Sequence, residues 1–103
     1  MNDFISILKK DLLNLINVFF NKKIIDHSIN ADNISIDYLS KSKQGEVSTN
    51  LFILLNSHLI DKSYDLRKVI HENIYSFDYV KRVEISKGGF INIFFEEKFI
   101  IKK

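Results

Sequence analysis

A chain of 103 residues with 46% hydrophobic and 13% aromatic content carries enough apolar surface for one core, which excludes a disordered chain and gives a single domain over residues 1–103. The absence of cysteine removes disulfide frameworks, thiolate zinc sites and thiol nucleophiles together, and suits a reducing cytoplasm. A net charge of +2 and a pI near 8.8 lie below the pI of about 9 that marks a strong nucleic-acid binder, so charge permits an RNA partner without requiring one. Ile, Asn and Lys are abundant while Arg67 and Arg82 are the only arginines. That bias is expected of an AT-rich coding sequence, so lysine number carries no functional weight.

In chain order, Phe4, Leu8, Leu12, Leu15 and Phe19 recur at helical spacing, with Lys9, Lys10 and Asn14 off the stripe. This predicts an amphipathic helix over 3–20, started by Asn2 or Asp3 and ended at Asn21-Lys22-Lys23. Lys9, Lys10 and Asp11 interrupt the segment, so it falls short of the roughly 18–20 uncharged residues of a membrane span, and no membrane partner is expected. Residues 33–40 alternate, with Ile34, Ile36 and Tyr38 on one face, and read as a strand. Lys41-Ser42-Lys43-Gln44-Gly45 reads as a polar loop. Ser48 or Thr49 is expected to cap a helix over 51–60, and Ser63 a second helix with Asp65 in its first turn and Leu66, Val69, Ile70 and Ile74 on its buried face. The last third predicts a hairpin: a strand over 80–85 with Val83 and Ile85 inward, a turn at Ser86-Lys87-Gly88-Gly89, and a return strand over 90–95. Helices and hairpin strands are segregated along the chain. The fold class is therefore α+β, a small antiparallel β-sheet with helices packed on one face.

Catalysis finds no constellation in this pattern. His27, His58 and His71 are far apart and share no metal-ligand spacing, so each reads as a surface or partly buried histidine. Glu96 and Glu97 point to opposite faces of a strand. No phosphate loop or nucleophile elbow is present. No catalytic residue, metal ligand or cofactor is expected in this chain.

The informative element is the last strand. Period-two geometry puts Ile91, Ile93 and Phe95 on one face and Phe90, Asn92 and Phe94 on the other. If the first set is the core face, the second lines up an aromatic, an amide and an aromatic. A ring stacks on an unpaired base, an amide pairs with a base edge, and Lys87 in the turn can meet a phosphate. The same spacing also fits Phe90 and Phe94 packing beneath the first helix, and spacing alone leaves packing the simpler account.

Two motifs add a family resemblance. Gly45-Glu46-Val47-Ser48-Thr49-Asn50 resembles the G-D-x-S-T-N that precedes an apolar helix in the N-terminal additional domain of bacterial arginyl-tRNA synthetases. Ser86-Lys87-Gly88-Gly89-Phe90-Ile91-Asn92-Ile93 resembles that domain's A-G-P-G-F-I-N-F. Their order, separation and intervening helices also match, and the similarity covers about residues 33–97. The resemblance implies that this chain contacts the D-loop at the outer corner of tRNA-Arg, with Phe90 as the stacking ring and Asn92 as the hydrogen-bonding group. It implies a catalytic domain in the same polypeptide that uses ATP and Mg for arginylation, and a cytoplasmic location. Three departures stand out: Glu46 replaces the usual Asp, Lys87-Gly88 replaces Gly-Pro and makes the tip looser and more basic, and Tyr64 stands where proline is frequent. The alternative reading is a protein-interaction module that docks a partner on the apolar sheet face.

Overall fold

The computed structural model describes residues 4–40 and 43–96. Helix α1 (Phe4–Asn21) buries the stripe expected of it, with Leu8 and Leu12 fully enclosed and Leu15, Ile16 and Phe19 at most 7% exposed. The proposed caps Asn2 and Asp3 and the side chain of Phe4 lie outside the described residues. The helix stops because Lys23 enters the left-handed region (φ 62). Lys23 N–H then donates to Phe20 O (3.0 Å) and Ile24 N–H to Phe19 O (2.9 Å). This double bond pattern closes helix ends, usually with glycine at the left-handed position.

After a 3-10 turn at Ala31–Asn33 come β1 (Ile36–Ser40) and β2 (Lys43–Thr49). The latter is a correction, because 41–45 reads as a loop in the sequence. Its residues 43–46 show no apolar alternation; pairing with β1, and from Glu46 onward with the strand at 91–95, makes the segment extended. Ser48 and Thr49 are consequently strand residues and not helix caps.

Helix α2 (Leu51–Ser57) begins after Asn50 and is shorter than expected. Asn50 gives its own helix no side-chain cap. Its Oδ1 accepts from Ser35 N–H (2.9 Å) and its Nδ2 donates to Asn33 O (3.0 Å), bracing the entry to β1. Helix α3 (Leu66–Tyr75) is capped by Asp65, whose carboxylate accepts from Lys68 N–H. Ser63 instead donates to Asp61 through both its N–H (3.0 Å) and Oγ (2.7 Å), which holds the Asp61 carboxyl below the ordinary carboxylate range. Strands β3 (Val80–Ile85) and β4 (Ile91–Phe95) complete the chain order.

The four strands stand in the order β1-β2-β4-β3, and every neighbouring pair is antiparallel. Strands β2 and β3 therefore run parallel with β4 between them, joined by α2 and α3. Across one face the register aligns Val47, Ile93 and Val83, and beside them Thr49, Ile91 and Ile85. These residues meet Leu8, Leu12 and Ile16 of α1, Leu51 and Leu55 of α2, and Ile70 and Ile74 of α3 in one core. The α+β class with helices on one face of an antiparallel sheet is what the structure shows. Tyr38 sits on the same side at the edge strand, where 45% of it stays exposed. No helix among the described residues is long and apolar enough to cross a membrane.

Candidate nucleic-acid interface

The turn between β3 and β4 fixes where the F-I-N residues point. Ser86 N–H donates to Phe90 O (2.9 Å), Gly89 N–H donates to Ser86 O (3.0 Å), and Phe90 N–H reaches Ser86 Oγ (3.2 Å). Gly89 alone of the pair takes a positive φ (94), as a three-residue hairpin loop with a bulge requires. A Cβ on Gly89 would stand 2.8 Å from Ile53 Cγ1 and 3.3 Å from Phe52, so the turn lies against α2. Arg67 of α3 donates to Ser86 O (3.2 Å) and lies over the Phe52 ring, 4.7 Å from its centroid. Backbone bonds and helix contacts hold this turn, although the proline usual in the resembling motif is absent.

Strand β4 then alternates between buried and half-buried residues. Ile91, Ile93 and Phe95 face the core, so Phe90, Asn92 and Phe94 turn to the helix-free side. Packing of Phe90 beneath α1 is not what the structure shows, since the residue is 46% exposed. Asn92 is half-buried, with Ser48 of β2 opposite it on one side and Glu84 of β3 on the other. Among the described residues its amide has no side-chain hydrogen-bond partner. Phe94 lies between Glu46 and Arg82. The Arg82 guanidinium covers the Phe94 ring at 4.2 Å, and its Nε is 3.3 Å from Glu84 Oε2. Phe94 is occupied; Phe90 is open.

The charges divide this surface. Asp37, opposite Ser48, joins Glu84 and Glu46 around Asn92; Arg82 offsets Glu84, and the remaining carboxylates disfavour a phosphate there. Lys87 is exposed at the tip, next to the Arg67–Ser86 contact. Base-sized contacts suit the face beside Asn92, and phosphate contacts suit the tip. Sequence spacing could not reveal Arg67 as a brace of this turn, because it lies on another helix. The position of Ser48 beside Asn92 likewise follows from the β2–β4 pairing alone.

Among the described residues, the fold also assembles a group with metal-ligand chemistry, Asp26, His27 and His58. Sequence spacing keeps His27 and His58 apart and offers no signal for it.

Comparison with known proteins agrees with the motif-based resemblance. The family model described as arginyl tRNA synthetase N terminal domain matches residues 5–95. An arginine–tRNA ligase of Shewanella sp. (strain ANA-3) is 31% identical over 64 residues, a stretch that covers 62% of this chain and 11% of that protein. The chain therefore corresponds to a small part of the relative it matches. No solved structure matches.

Proposed function

Because the chain belongs to the arginyl tRNA synthetase N terminal domain family, we propose that it is the tRNA-binding portion of a longer arginine–tRNA ligase and reads the D-loop of tRNA-Arg. In this reading Phe90 stacks on an unpaired D-loop base, Asn92 hydrogen-bonds a base edge, and Lys87 meets a neighbouring phosphate. ATP, Mg and the chemistry of arginylation belong to a catalytic domain of the same polypeptide, and the setting is cytoplasmic.

The supporting observation is the pairing of an open ring with an unpartnered amide on one strand face. Phe90 exposes 46% of its surface two positions before an Asn92 whose neighbours across the sheet are Ser48 and Glu84. Among the described residues, the fold leaves the ring open and the amide without a hydrogen bond, and a base supplies a face for one and an edge for the other.

The test is arginylation kinetics of the full-length ligase carrying Phe90→Ala or Asn92→Ala. Loss of one stacked base lowers kcat/KM by roughly 5- to 150-fold, the equivalent of about 1–3 kcal/mol. If both variants arginylate like the parent, the base contact does not exist. A protein docked on the sheet face, the rival reading, requires instead that tRNA affinity be absent.

A further inference from the structure

The positive-φ turn at Lys23 sends the chain back from α1 toward the end of α2. There Ile25 pairs with Leu59 as a single antiparallel bridge. Asp26 N–H donates to His58 O and Ile60 N–H to Ile24 O, both at 3.0 Å. Ile25 and Leu59 are 1% and 6% exposed, so the bridge is anchored in the core. Asp26 and His27 lie outside it on exposed backbone, and His58 is half-exposed beside them. His27 Nδ1 is 2.6 Å from Asp26 Oδ1, and His58 Nδ1 is 3.4 Å from the same oxygen. The two imidazole rings stand 5.0 Å apart, tilted by 44°. One ligand atom from each of the three residues falls within a 4.8 Å span.

Two imidazoles and a carboxylate are the donors that zinc-class ions take, whereas calcium and magnesium prefer all-oxygen sets. Bonds of about 2.0–2.1 Å in a tetrahedron separate ligand atoms by roughly 3.3–3.4 Å. The His58–Asp26 distance of 3.4 Å already has that value. The His27–Asp26 distance is a hydrogen bond and would open as both atoms turn to a common ion. The side chains of His27 and Asp26 are 69% and 53% exposed, so that rotation meets no packing.

We propose that Asp26, His27 and His58 form a three-ligand surface site for a zinc-class divalent cation, with water completing the tetrahedron. Such an ion ties the turn after α1 to the end of α2 and stabilises the folded chain by binding it in preference to the unfolded one. The site is independent of the F-I-N face, and its test does not involve tRNA.

The 103-residue chain is titrated with zinc chloride by calorimetry, and its melting is followed with zinc and then with excess EDTA. The expected result is one zinc per chain and a rise in Tm that EDTA reverses. Cobalt(II) in its place gives the intense visible bands of a tetrahedral ion. His27→Ala, His58→Ala and Asp26→Asn each weaken zinc binding by roughly tenfold or more, while His71→Gln keeps the parent affinity. All three ligands are surface groups, so circular dichroism should report unchanged folding in each variant. The proposal is overturned by absence of both heat and Tm shift, which makes the cluster an ion pair only. It is equally overturned if binding survives the His27→Ala/His58→Ala double variant or is lost on replacing His71.

Discussion

Thr49 and Tyr79 carry polar groups into the core by opposite means. Thr49 is fully buried, and its Oγ1 has no partner among the described residues. It faces Ile36 and Ile91 across the sheet, so a methyl fits there as well as a hydroxyl. Thr49→Val should therefore raise unfolding free energy by about 1 kcal/mol in urea melts, the cost of an unpaired buried hydroxyl. Tyr79, 9% exposed, donates its hydroxyl to Asp11 of α1. Burial first, and then the Asp11 hydrogen bond and charge, push its hydroxyl well above the ordinary value of 10.0. Above that pH the unfolded chain releases a proton that the folded chain retains, so this contribution is fully present below 10.0 and is lost progressively as pH rises from there toward the raised folded value. Tyr79→Phe is expected to cost about 1–3 kcal/mol near neutrality by stranding Asp11. The variant should also lose part of the parent's stability decline above pH 10.0, which thermal melts at pH 9 and 11 would read, both pH values being about one unit from that midpoint.

The hairpin shows how an element's sequence and its surroundings divide the work. Alternation and two glycines predict the turn, but only one glycine needs its freedom. Gly89→Ala forces a Cβ into a positive φ (94) and against Ile53, so it should destabilise the chain by about 1–2 kcal/mol or more. Gly88→Ala places its Cβ 3.9 Å from Ser86 Oγ, its nearest neighbour, and should change stability by less than about 0.5 kcal/mol. Urea unfolding of the two variants side by side separates a turn set by Gly89 from a generally loose tip. The braces from α3 act at the same scale: Arg67 holds Ser86 O and His71 Nε2 lies 3.1 Å from Val83 O. Together they fix the direction in which β4 presents Phe90 and Asn92.

At the scale of the molecule, helices cover one sheet face and, among the described residues, leave the other to solvent. That free face is acidic around Asn92, while Lys87 stands at its tip. Among the described residues, a strand of RNA approaching it meets free positive charge mainly at the tip, because Arg82 is paired with Glu84, so its salt dependence should be shallow. Lys87→Ala should lower the slope of log affinity against log salt by about 0.7–0.9, the value of one phosphate contact. Fluorescence anisotropy of labelled tRNA across a potassium chloride series would measure it; an unchanged slope would remove Lys87 from the phosphate path.

The local code decided the helices and the hairpin. Leu8, Leu12, Leu15 and Phe19 repeat at the helix period, and Ile91, Ile93 and Phe95 at the strand period, so burying either set forces the secondary structure that the spacing states. The F-I-N residues were legible for the same reason, because putting Ile91 and Ile93 inward turns Phe90 and Asn92 outward. Strand β2 was not legible, since its extended form comes from hydrogen bonds to β1 and β4 and not from its own side chains. Nor were Ser35 and Asn33 as the partners that Asn50 braces, or the meeting of Asp26, His27 and His58. Each of these depends on segments distant in sequence being carried to one place, and that is a property of how the helices and sheet pack together. The sequence by itself determined which faces are apolar and which residues the last strand offers to solvent; tertiary structure decided what stands beside them.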